Sequence, residues 1–80
     1  MALYHVELYN KTSQTVLDSR TVNTEYNASV IAQSFIRSIK NMSKVVSESN
    51  YDISPRGFVI GQTLYTADTE YVISTGKKGI

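Results

Sequence analysis

The chain has no cysteine and no tryptophan, and it has a single proline and a single histidine. Without cysteine there is neither a disulfide framework nor a Cys-based zinc site to reinforce a small core. The fold must rest on packing, helped where needed by a partner or a second copy. His5 alone cannot build an ordinary zinc site. A reducing compartment is the simplest setting for such a chain. Long apolar runs are missing too: none approaches the ~18 residues of a spanning helix. Met1 to His5 lacks the basic and apolar regions of a signal peptide. A cytoplasmic location with no membrane contact is the expectation.

Charge of one sign is equally scarce. The net charge is +1, which excludes an acidic mimic of DNA and gives no general pull toward nucleic acid or membrane. The acids Glu7, Asp18, Glu25, Glu48, Asp52, Asp68 and Glu70 are scattered among polar residues, so no carboxylate pair with divergent pKa values stands out. There is no nucleophile-elbow glycine pattern to frame a Ser-His-Asp arrangement. Gly57 and Gly61 are isolated, and Gly76-Lys77-Lys78-Gly79 lacks the strand–loop–helix frame of a phosphate loop. These gaps predict a non-enzymatic protein without cofactor or metal. The sequons at Asn10, Asn27 and Asn41 read as chance matches, since two of them fall on a predicted helix.

What is present describes one domain over residues 1–80. The hydrophobic fraction is 41% and the charged fraction 19%, too apolar for disorder. Leu3 to Tyr9 alternates and reads as a strand. Asn10 to Gln14 is turn-like, and Thr15 to Val22 is a second strand whose poor alternation suggests an edge. Ala28, Ile31, Ala32, Phe35, Ile39 and Met42 recur at three- and four-residue steps, predicting a helix that ends near Lys44. Asn23, Thr24 and Asn27 are its candidate caps, and Glu25 suits its first turn. Ser47 to Pro55 reads mostly as loop. Phe58 to Thr66 is strand-like, with Gly61 a candidate bulge. Glu70 to Thr75 is the last strand, and residues 76–80 read as a loose tail. The expected fold is α+β, in the order ββαββ, with a four-stranded antiparallel sheet and one helix packed on one face.

Two surfaces compete as functional candidates. One helix covers one sheet face, and with Tyr4, Val6, Leu8, Phe58, Ile60 and Leu64 beneath it, Leu3, Tyr9, Leu17, Val59, Tyr65 and Val72 turn toward the other. An apolar back face points to a protein partner or a homodimer; the ordinary alternatives are scattered surface groups or cover from residues 47–55. Between Glu25 and Glu48 the only charges are Arg37, Lys40 and Lys44, on one side of the helix, and Lys77 and Lys78 add a basic tail. These five predict contact with nucleic acid or an acidic partner; the plain alternative is a solvated helix face whose cations suit the C-terminal dipole.

Arg56-Gly57-Phe58 resembles the opening of the longer sheet motif of RNA-recognition domains, where a basic residue, Gly and aromatics precede a stacking strand. Val59, Ile60 and Gly61 depart from that motif, and the ββαββ order differs from that family's βαββαβ. The six tyrosines suit base stacking, strands and protein interfaces alike. The Asn/Ser/Thr/Tyr-rich texture resembles small bacteriophage accessory proteins, a likeness of composition that covers no motif. It implies a protein, in the host cytoplasm, that inhibits or redirects a host factor by direct binding. Protein–protein contact is thus the leading expectation, and a small RNA- or DNA-binding module the alternative.

Overall fold

A computed structural model describes residues 3–78. One helix packs against a six-stranded antiparallel sheet. The strands are β1 (Leu3–Asn10), β2 (Thr15–Val22), β3 (Ser47–Glu48), β4 (Asp52–Ile53), β5 (Val59–Tyr65) and β6 (Glu70–Lys78), and α1 (Glu25–Met42) follows β2. The α+β class stands. The four-stranded ββαββ order does not: β3 and β4 occupy the segment expected to be loop, and the sheet runs β2-β1-β6-β5-β3, with β4 also on β5.

The helix begins where capping chemistry allows. Thr24 is extended, and its hydroxyl oxygen accepts from the Asn27 N–H at 3.1 Å, so among the three candidate caps it is Thr24 that serves. Ser43 returns to extended backbone, and its N–H donates to the Ile39 carbonyl. The apolar stripe sinks Ala28, Ala32, Phe35, Ile36 and Ile39 against Val6, Leu8, Leu64 and Ile73. Ile31 is only partly buried, and Met42 is 65% exposed. Met42 falls in the last turn, where the chain leaves the sheet, and Ile36 fills the stripe in its place.

Antiparallel pairing sets which residues share a face. Val6 sits opposite Thr75, and Leu8 opposite Ile73. Ile73 is in turn opposite Gln62, and Tyr71 opposite Leu64. These residues look toward the helix, so the expected placement beneath it holds for Tyr4, Val6, Leu8 and Leu64 but not for Ile60, which bulges, or Phe58, which lies outside the core against Tyr26. The first hairpin turns through Lys11–Gln14, where Asn10 Oδ1 accepts the Ser13 N–H. Gln14 takes a left-handed φ of 57°. Beyond the turn the register slips: Leu8 pairs with Asp18 but Tyr9 with Val16, which leaves Leu17 as the extra residue of a bulge.

β3 and β4 behave as one interrupted edge strand beside β5. Ser47 pairs with Tyr65 and Glu48 with Leu64; Asp52 then pairs with Gly61 and Ile53 with Val59. In the gap, the Ser49 N–H donates to the Thr63 carbonyl, and buried Gln62 donates from Nε2 to the Ser49 carbonyl at 2.8 Å. The segment 47–55 therefore extends the sheet in its plane and does not fold over the back face. The bulge expected at Gly61 falls one residue earlier: Asp52 and Ile53 are consecutive, yet their partners Gly61 and Val59 are separated by Ile60, which is the extra residue. Gly61 is also a steric necessity, because a Cβ there would collide with the Ile73 carbonyl oxygen. Gly57, with φ of 88°, closes the turn from β4 into β5.

β6 runs on to Lys78, with Gly76 opposite His5 and Lys77 opposite Tyr4. Residues 76–78 are thus strand and not loose tail, because β1 begins early enough to pair with them. Residues 79 and 80 lie outside the described part.

Two substitutions test this packing. Phe35→Ala should cost on the order of 3–5 kcal/mol, since the ring is buried in the centre of the stripe. Gly61→Ala should lower the unfolding midpoint as well, through backbone displacement and not through a cavity. Urea unfolding followed by circular dichroism measures both; a Gly61→Ala protein as stable as the parent would refute the close approach of β5 to β6.

Candidate binding surfaces

His5 lies on the face away from the helix. Its Nδ1 is 3.0 Å from the Thr21 hydroxyl, directly across the β1–β2 pair. Its Nε2 is 3.8 Å from a Glu7 carboxylate oxygen, two residues along the same strand. Hydroxyl, imidazole and carboxylate stand in a row on open sheet surface. The His–Glu separation exceeds hydrogen-bond range, and the pattern is that of cross-strand and i,i+2 neighbours. Among the described residues no three His, Cys, Asp or Glu side chains gather to hold a metal ion. No described helix is long and apolar enough to cross a membrane.

The back face can be read row by row. Tyr9 faces Val16 on β2 and Val72 on β6, and Val72 faces Thr63 on β5. This gives one apolar row, Val16–Tyr9–Val72, ending on threonine. The next row toward the start of β1 is polar: Ser19, Glu7 and Ser74. After it come Thr21, His5 and Gly76. Tyr65 flanks the apolar row on the other side, paired with Glu70. Leu3 is six residues from Tyr9, about 20 Å along the strand. Val59 does not join the face: it packs against the core, because the bulge at Ile60 shifts the alternation of β5. Leu17 sits in the β2 bulge, 46% exposed. Of the six expected interface residues, the structure brings Tyr9, Val72 and Tyr65 together, with Val16 as an unforeseen fourth.

The cations divide similarly. Arg37 and Lys40 line a cleft of about 240 Å³ with Gln33, Ile36 and Tyr51. Lys40 Nζ is 3.2 Å from a Glu48 carboxylate oxygen, so part of its charge is already matched. Lys44 lies just past the helix end and is exposed. Lys77 is elsewhere. It pairs with Tyr4, which faces Val22 just before the helix cap. An 18-residue helix, roughly 27 Å long, separates the two ends. Lys77 instead borders a second cleft of about 210 Å³ with Glu25, Tyr4 and Ile60, where one Glu25 oxygen is buried without a partner. The Lys78 side chain lies outside the described part. Phe58, from the segment resembling an RNA-recognition motif, meets Tyr26 edge-on at 6.0 Å, and so is engaged at the helix start.

The sheet edges are unequal. β3 and β4 supply two residues each, and side-chain bonds from Gln62 and Ser49 fill the gap between them. β2 is eight residues long and exposed from Thr15 through Thr21. The sequence signals for this were present in its poor alternation. What the sequence did not disclose was Tyr51 beside Arg37 and Lys40, or buried Gln62 holding the opposite edge, because both depend on how 47–53 pairs with β5.

Comparison with known protein families, curated proteins and solved structures finds no match to this chain.

His5→Ala should change unfolding free energy by no more than about 0.5 kcal/mol, as expected for a surface side chain away from caps and core. A loss several times larger in thermal unfolding would mean that the His5–Thr21–Glu7 row carries structural weight.

Proposed function

We propose that the chain is a non-enzymatic binding module that acts through protein–protein contact, in the manner of a phage-type accessory protein that inhibits or redirects a host factor. The observation that carries this reading is the uncovered row Val16–Tyr9–Val72 with Tyr65 beside it. Val16 is 49% and Tyr65 39% exposed. Tyrosine beside aliphatic residues, bordered by polar rows, matches the make-up of a modest protein interface, with an apolar centre and a polar rim. Host-factor targeting rests on composition alone. Host cytoplasm is the matching location.

A second reading has its own observation. Arg37 and Lys40 stand beside the exposed ring of Tyr51, 47% accessible, in one cleft. Cations that neutralise phosphate next to an aromatic ring on which a base can stack are the elements of single-strand binding. Net charge of +1 and the Lys40–Glu48 pair leave this the weaker reading.

Immobilised chain, challenged with bacterial lysate with and without nuclease treatment, separates the two. The protein reading expects a retained partner that Val72→Lys abolishes and that changes little between about 50 and 200 mM salt. The nucleic-acid reading expects binding that nuclease removes, that falls steeply over that salt range, and that collapses on charge reversal at Arg37, Lys40 and Lys44. A partner retained equally by the Val72→Lys protein would overturn the leading reading.

A further inference from the structure

We propose that two copies of the chain join through the free edge of β2, in antiparallel register about a two-fold axis at Ser19. This goes beyond the reading above and leaves the Val16–Tyr9–Val72 row on the outer face of the sheet.

The direction of the β2 backbone groups follows from two separate observations. The Lys11 N–H donates to the Glu70 carbonyl at 2.9 Å, continuing the register in which Tyr9 faces Val72. Odd-numbered residues of β1 therefore hydrogen-bond to β6, and Tyr4, Val6 and Leu8 bond to their partners Val22, Arg20 and Asp18. That leaves the N–H and C=O of Ser19 and Thr21 pointing away from the sheet. Independently, the Ser19 N–H donates to the Asp18 carboxylate at 2.8 Å, which requires it to be free of the β1 ladder. Among the described residues, β2 thus carries outward backbone groups with no strand beside them.

The side chains choose the occupant. Asp18 and Arg20 face Leu8 and Val6, so both project on the helix side of the sheet. With Ser19 on the axis, two Ser19 residues exchange N–H···O=C bonds, and each Asp18 stands opposite Arg20 of the second copy. The charges match twice. The bulge at Leu17 ends the matched stretch, because it turns Val16 to the back face while Val22 stays on the helix side. Moving the axis by one residue to Arg20 sets like charges directly opposite each other, which is unfavourable. The charge pattern selects the first register. In forming it, Asp18 exchanges its local bond to the Ser19 N–H for a guanidinium.

The arrangement also closes. Pairing one edge with its own copy is isologous and stops at two. Head-to-tail growth would need β2 to meet the opposite edge, which is broken between Glu48 and Asp52 and occupied by Gln62 and Ser49.

Sedimentation equilibrium from low micromolar to millimolar concentration tests the assignment. The wild-type chain should be a concentration-dependent dimer. Asp18→Arg alone and Arg20→Asp alone should each weaken it about tenfold or more, by turning two attractions into repulsions. The double exchange Asp18→Arg/Arg20→Asp should restore it to within about threefold, since the crossed pairs re-form. Ser19→Pro should abolish it while leaving the circular dichroism spectrum unchanged, because the N–H it removes serves no ladder and proline is tolerated at an outward edge position. Should Ser19→Pro unfold, the charge series decides alone. A strictly monomeric wild type overturns the proposal. So does a dimer indifferent to the charge exchanges, or one that is lost in Val72→Lys, which would locate pairing on the back face.

Discussion

Burial of a single helix stripe on the centre of the sheet is the constraint from which the remaining features follow. Ala28, Ala32, Phe35, Ile36 and Ile39 meet Val6, Leu8, Leu64 and Ile73. No disulfide assists, and a domain of this size has little surplus stability. The two small alanines let the helix approach the sheet closely, while Phe35 and the isoleucines fill the space between. The helix leans chiefly on β5, then on β1, β6 and β2. Everything laid outside that footprint must either be polar or find another surface.

The two edges show two ways of meeting that demand. On one side, the chain between α1 and β5 is drawn in as an interrupted strand, held by the Gln62 amide and the Ser49 hydroxyl. Short, broken strands are poor templates for further pairing. On the other side, β2 stays long and exposed, defended by a bulge at Leu17 and by charges of opposite sign at Asp18 and Arg20. A run of like charges would repel a second copy. An alternating pair repels it in one register and accepts it in another. The same residues can therefore guard an edge against indiscriminate pairing and specify one partner.

Cations that the sequence groups by charge alone are distributed widely in space. Arg37 and Lys40 share a cleft with Tyr51, while Lys77 sits at the opposite end of the helix. The apolar residues of the back face contract to one row, because alternation places Ser19, Glu7, Ser74, Thr21 and His5 beside them. What looked in sequence like a broad apolar face is a narrow one bordered by polar rows, which favours a modest contact over a large obligate interface.

The helix, the first hairpin, the edge character of β2 and a bulge next to Gly61 were legible in the sequence, and Thr24 was one of three candidate caps for the helix start. Each rests on a local rule: three- and four-residue spacing, a side chain that caps an N–H, alternation, or a residue without a Cβ. Tertiary structure alone decided the rest. Ser47–Ile53 became strand because β5 offered it a partner; Gly76–Lys78 became strand because β1 starts at Leu3; and Val59 turned to the core because Ile60 bulges. Local spacing can state which residues would share a face, but a strand acquires its hydrogen bonds, and hence its register and its neighbours, only from a segment far away in the chain.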